Sequence, residues 1–297
     1  MNSSLTWFWL SLYFAIWTSF IISIIKKLTS TINPILIILI GSITSLPFIY
    51  FLIIYSGGIP NVTPKFYLLL FISSIIDTIA AISSFVAISI APISLISPIS
   101  SFNPVFTTII ATFTLNETLS PTKFFGILIV VLGAYLLNAS DIRGGIFLPF
   151  KKLLTNRGVL LYFLANFLWA ITPIFQKQAI FETHPQMPIY ASFFANIFIL
   201  FFMIPIVLIK IKNMKIELGK AVRSWKWFLI LAPLGTSATW AAFTAFSLAP
   251  LGLVTSVFKF SVLFTILFGF IFFKEERIKE RLLGGAVMIA GTLLLLK

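Results

Sequence analysis

Two charged side chains sit where charge is expensive. Asp77 falls in the middle of the apolar run 65–90, and Lys259 lies well inside the run 251–273. A charge at the centre of a membrane helix costs about 2.5–3.5 kcal/mol on insertion scales, so ionisable groups kept there pair with one another or serve a pathway. Their opposite signs allow them to face each other. Such a pair either pins helices together, or binds the polar ends of a substrate and carries a coupling proton. The second reading is preferred, because embedded ionisable groups usually line a route.

Uncharged polar residues recur near them at helical spacing. Ser94, Ser97, Ser101, Pro104 and Thr108 are separated by 3, 4, 3 and 4 residues, which makes one stripe on a helix. Pro98 and Pro104 remove backbone donors and predict a kink, and Asn103 adds a polar group at it. Ser73, Asp77 and Ser84 share a face, as do Asn166, Trp169, Pro173 and Gln176, with Lys177 alongside. Tyr13, Trp17, Thr236 and Trp240 complete the set. Small polar rows serve close helix packing equally well. The deep tryptophans Trp17, Trp169 and Trp240 are candidate cavity walls, whereas Trp7, Trp9, Trp225 and Trp227 sit at run ends as interfacial anchors.

Other chemistry has no residues to run on. Cysteine is absent, which removes disulfides and thiolate metal sites. The one histidine, His184, stands beside Pro185 outside the apolar runs, so neither a Ser–His dyad in the membrane nor an HExxH metal site can be built. The second aspartate, Asp141, is also outside them, which disfavours an aspartate pair. No phosphate-cradling Gly-Lys-Ser/Thr loop occurs. The expectation is a protein that is not an enzyme and takes no cofactor or metal.

The elements that hold these residues follow from composition. Hydrophobic residues make up 59% of the 297 and charged residues 10%, with 34 Phe. Continuous apolar runs of about 20 residues read as membrane-spanning helices. They fall at 5–25, 34–55, 65–90, 92–115, 121–138, 158–181, 188–209, 227–248, 251–273 and 281–296, numbered here as spans 1 to 10. The first lacks a basic leader and is read as a retained helix. The predicted fold is an all-α integral membrane protein of ten transmembrane helices.

A shift of 158 positions lays the second half on the first. Ala91-Pro92 falls on Ala249-Pro250, Phe102 on Phe260, Glu117 on Glu275, Gly126 on Gly284 and Gly133 on Gly291. This is a duplication: residues 1–142 form one five-helix repeat, 143–157 a basic linker, and 158–297 the second repeat. An odd number of spans per repeat forces opposite insertion of the two. The net charge of +13 supports this, since sixteen of the 21 Lys and Arg fall in loops after spans 1, 3, 5, 7 and 9. The positive-inside rule then explains the charge without nucleic acid, and puts both termini outside the cytoplasm.

The motifs resemble the EamA family of the drug/metabolite transporter superfamily. The resemblance rests on Ala91-Pro92, Glu117, Gly126 and Gly133, their copies Ala249-Pro250, Glu275, Gly284 and Gly291, and Trp169 followed eight residues later by Lys177. The first repeat departs from it, with Trp17 nine residues before Lys26. The resemblance implies a carrier with a central cavity lined mainly by spans 1, 3, 4, 6, 8 and 9, spans 5 and 10 packing away from it, and cytoplasmic termini.

The expected function is a secondary transporter, exporter or exchanger, of a small organic metabolite such as an amino acid. It would work by alternating access in the plasma or inner membrane, as a monomer or homodimer, with a coupling proton. Tyr13, Trp17, Asp77, Ser97, Ser101, Asn103, Asn166, Trp169, Lys177, Trp240 and Lys259 are the expected substrate-binding residues. The alternative is a receptor or scaffold with a packed centre.

Overall fold

Proline punctuates this chain. Pro34, Pro64 and Pro188 each open a helix, where the missing N–H is unneeded and φ is already helical. The Ala-Pro pairs close one. Ala91 and Ala249 both adopt extended backbone, with φ of −135° and −147°, ahead of Pro92 and Pro250. A residue before proline is pushed out of the helical region, so the duplicated motif is a duplicated stop.

A computed structural model describes residues 5–91, 97–139, 145, 147–148, 151, 155–273 and 278–296. Ser94, Glu275, most of the linker and the side chain of Ser97 lie outside them. The helices are α1 (Thr6–Thr29), α2 (Pro34–Tyr55), α3 (Pro64–Ile90), α4 (Asn103–Thr114), α5 (Pro121–Ala139), α6 (Arg157–Phe181), α7 (Pro188–Lys210), α8 (Met214–Arg223), α9 (Trp225–Leu248), α10 (Leu251–Phe258), α11 (Phe260–Phe273) and α12 (Ile278–Leu295). Two short strands, β1 (Asn61–Val62) and β2 (Thr183–His184), pair antiparallel. Six helices, α1, α2, α3, α6, α7 and α9, are long and apolar enough to cross a membrane.

Two spans expected as single helices are broken, at matching places. Span 4 becomes a 3-10 segment, Ser97–Phe102, followed by α4. Span 9 splits at Lys259, which is the copy of Ser101. In the first repeat Pro104, in the opening turn of α4, accounts for the change. The second repeat has no proline there. Lys259 N instead donates to Ser256 O and Val262 N to Lys259 O, tight three-residue closures that replace helical ones. Ser19 Oγ on α1 donates 2.7 Å to Ser261 O, giving a carbonyl beside the break a partner.

Packing is reciprocal between the repeats. α3 packs on α6 as α9 packs on α1; α3 on α7 as α9 on α2; α4 on α6 as α11 on α1. α5 meets its own copy, α12, and α2 meets α7. At the α5–α12 crossing a β-carbon on Gly126 would lie 3.0 Å from Gly291 O, and one on Gly133 2.7 Å from Gly284 O. The pairing 126–291 and 133–284 means that these two copies run antiparallel. Small residues permit this backbone approach, which supplies the dispersion contact that holds helices together in lipid.

The segment 210–226, expected as a polar loop, contains α8. Val222 and Ile216 are exposed on it while Ala221 is buried against the cluster of Ile32, Leu36 and Phe228. Glu217 of α8 accepts from Asn33 N at 2.8 Å and pairs with Lys220, tying α8 to the start of α2.

Candidate functional site

Asp77 stands at the midpoint of α3 and faces a cavity of about 380 Å³ between the repeats. Its walls are apolar, from Ile21, Ile37, Ile49, Ile199, Leu231 and Phe243. Polar groups enter from five other helices: Thr29 on α1, Ser42 and Ser45 on α2, Gln176 on α6, Ser192 and Asn196 on α7, and Thr236 and Thr239 on α9. The cavity reaches the α1–α2 turn, at Thr29 and Pro34, on the face that carries the basic loops.

The local geometry of Asp77 is specific. Gln176 Nε2 donates 3.2 Å to Asp77 Oδ2 and 3.2 Å to Ser73 Oγ, so one amide ties two groups on the α3 face. Thr172, one turn earlier on α6, is also beside the carboxyl. No Lys or Arg lies within salt-bridge distance of it among the described residues. Asn196 Nδ2 donates to Ser42 O, which joins α7 to α2 at the wall. Thr236 Oγ1 is buried and has no hydrogen-bond partner among the described residues.

The other end is closed. β1 and β2 pair there, with Asn61 opposite His184 and Val62 opposite Thr183. Glu182, capping α6, accepts from Lys65 Nζ at 2.9 Å and Thr63 Oγ1 at 2.7 Å. The Lys65 ammonium, and next the Thr63 hydroxyl, hold the Glu182 carboxyl below the usual glutamate range. Beneath this clasp Phe66 is fully buried, stacked on Tyr190 and edge-on to Phe194. On the same face Lys177 Nζ donates 2.6 Å to Glu117 and 2.7 Å to Ala249 O, and Glu117 accepts from Leu251 N at the start of α10. Glu117 thus satisfies an orphan donor of α10 while holding a cation from α6.

These distances sort the expected site residues. Asp77 lines the cavity. It does not face Lys259, since no ion pair joins the two and Asp77 turns to α6 instead. Lys259 is half-buried at the α10–α11 break and is not among the lining residues. Lys177 is spent on Glu117 and Ala249. Asn103 and Asn166 do come together: Asn103 Nδ2 donates 3.0 Å to Asn166 O, and Asn166 Nδ2 to Tyr162 O, away from the cavity lining. Ser101 is buried at the end of the 3-10 segment. Tyr13 stacks edge-on with Trp17 and donates to Ser237 Oγ, and both it and Trp240 are a little over one-third exposed. Trp17 and Trp169 are half-buried and, with Trp240, are absent from the lining.

The lining itself departs from expectation. It comes from α1, α2, α3, α6, α7 and α9, so spans 2 and 7 replace spans 4 and 9. Sequence carried a signal for this. Ser42 and Ser45 are three apart, Ser192 and Asn196 four apart, each a polar stripe in an otherwise apolar run.

The model of the EamA-like transporter family matches the chain twice, over residues 5–139 and 156–297. Among solved structures, one described as "Crystal structure of protein" aligns over 99% of this chain and 98% of its own length, with a TM-score of 0.73 and 12% sequence identity. At that identity the likeness is one of fold. No curated protein matches the sequence.

Proposed function

The chain belongs to the EamA-like transporter family, and on that premise we propose a secondary transporter, exporter or exchanger, that carries a small organic metabolite through the cavity at Asp77. The ten spans insert as two inverted five-helix repeats in the plasma or inner membrane. The antiparallel meeting of α5 with its copy α12 supports this, as does the reciprocal packing of the other helices.

One observation carries the proposal. A carboxyl with no cationic partner among the described residues faces a cavity that reaches one end of the protein and is clasped shut at the other. A scaffold or receptor with a packed centre has no use for that arrangement, because an unpaired charge in the membrane is costly. The repeats rock about the cavity, the clasp opens, and the face at Thr29 and Pro34 closes. Asp77 holds the substrate or a coupling proton.

The test is flux into proteoliposomes for a panel of amines, amino acids, carboxylates and neutral solutes, with and without a proton gradient. The proposal expects flux of at least one class and its loss in Asp77→Asn. No flux for any class, or equal flux in Asp77→Asn, contradicts it.

A further inference from the structure

The described lining of the cavity offers only one sign of charge. We propose that its ligand is an organic monocation with an apolar body, such as a protonated amine, held by Asp77 in exchange for a proton. This rests on the transport reading above and narrows its substrate. An amino acid held at both ends by Asp77 and Lys259 would find no cation for its carboxylate, since Lys259 does not line the cavity.

The chemistry follows from the lining. Asp77 is the one titratable group among the described lining residues. Among the described lining residues, the elements packed around it bring no competing charge. α6 offers Thr172 and Gln176, α7 Ser192 and Asn196, α9 Thr236 and Thr239, α2 Ser42 and Ser45, and α1 Ile21, Ile25 and Thr29. Lys177, next to Gln176 in sequence, is turned to Glu117. A carboxylate bounded by neutral groups must be compensated by whatever enters, either a proton or a cation. A carboxylate ligand would meet like charge with no Arg or Lys to receive it. A zwitterion would satisfy only its amine.

Gln176 presents its amide N–H to Asp77 Oδ2, and Thr172 stands beside the same carboxyl. One further group on the wall awaits a polar ligand. Thr236 Oγ1 is buried there with no hydrogen-bond partner among the described residues. A protonated amine has several N–H donors for the Asp77 carboxylate and Thr236, while Ile37, Ile199, Leu231 and Phe243 take its apolar part.

A matched series reads this directly. Phenethylamine, 2-phenylethanol, 3-phenylpropionate and phenylalanine share one apolar body and differ in charge. Their binding to the purified full chain in detergent is measured by calorimetry from pH 5 to 8, where the amine stays protonated. The proposal expects phenethylamine to bind about ten- to hundred-fold more tightly than the alcohol, the worth of a charge-assisted contact. It expects 3-phenylpropionate and phenylalanine to bind more weakly than phenethylamine, and weaker amine binding as the proton competes at lower pH. Asp77→Asn should abolish the preference for amine over alcohol; Thr236→Val, which keeps the fold's volume, should weaken amine binding alone.

Binding of 3-phenylpropionate or phenylalanine at least as tight as that of phenethylamine overturns the inference, as does equal binding of amine and alcohol, or binding of none. Those comparisons are made in the native chain, so misfolding of a variant does not blunt them. Amine binding without flux in proteoliposomes keeps the cation site and removes the transport reading. Asp77-dependent flux of a carboxylate without amine binding does the reverse.

Discussion

Lys177 reaches across 2.6 Å to Glu117, and that contact joins α6 of one repeat to the loop after α4 of the other. Both side chains are about nine-tenths buried, and Glu117 also accepts from Leu251 N. Removing one partner of a buried pair strands the other, at a cost of about 3–5 kcal/mol. Glu117→Gln should therefore lower the thermal unfolding midpoint of the detergent-purified protein. Glu117→Gln combined with Lys177→Met should cost less than the sum of the single changes. Strict additivity in that cycle would show that the two groups do not act together.

The α5–α12 seam makes a separate prediction. Gly133→Ala would place a β-carbon 2.7 Å from the Gly284 carbonyl oxygen, a backbone atom that cannot swing aside. Overpacking of this kind costs about 1–3 kcal/mol. Gly41→Ala meets nothing within 4 Å and should be neutral. Equal unfolding midpoints for both variants would mean that the seam is looser than described.

The clasp should respond to acid. Glu182 has its carboxyl held below the usual range by Lys65 and Thr63. A depressed folded value means that the contribution is complete above the unfolded value, near pH 4.3, and is lost as pH falls through the lower, folded one. Midpoints measured from pH 3 to 7 should fall on the acid side in the native chain. In Glu182→Gln that acid-side component should shrink. An unchanged profile would remove Glu182 from the clasp's energetics.

The absence of cysteine from the native chain permits single-site labelling. Ser45→Cys, on the cavity wall, should react with a small charged thiol reagent presented at the basic-loop face. Val130→Cys, buried at the α5–α12 seam, should not. Protection of Ser45→Cys comparable to Val130→Cys would mean that water does not enter the cavity.

Much of the architecture could be read from the residues. Gly126, Gly133, Gly284 and Gly291 announced a repeat, and the α5–α12 crossing pairs each glycine with the copy of the other. Ala91-Pro92 and Ala249-Pro250 announced two equivalent helix ends. Asp77 announced itself through its cost in an apolar run. What could not be read was which helix faces which. Asp77 and Lys259 have complementary charge, but α3 packs on α6, so Gln176 and Thr172 reach the carboxyl first. Lys177 has the same chemistry as a substrate ligand. Only packing shows that Glu117, known from sequence as a repeat marker, takes it up. Pro104 signalled the break in span 4, whereas the matching break at Lys259 has no residue that signals it.

The most direct test concerns the clasp itself. Asn61 and His184 are exposed strand partners, and paired antiparallel residues stand at a separation that a disulfide can bridge. Asn61→Cys with His184→Cys, oxidised in proteoliposomes, fixes the two repeats together at the closed end. The account predicts that flux stops on oxidation and returns with reductant, while each single variant carries substrate throughout. Undiminished flux through the fully cross-linked protein would contradict it.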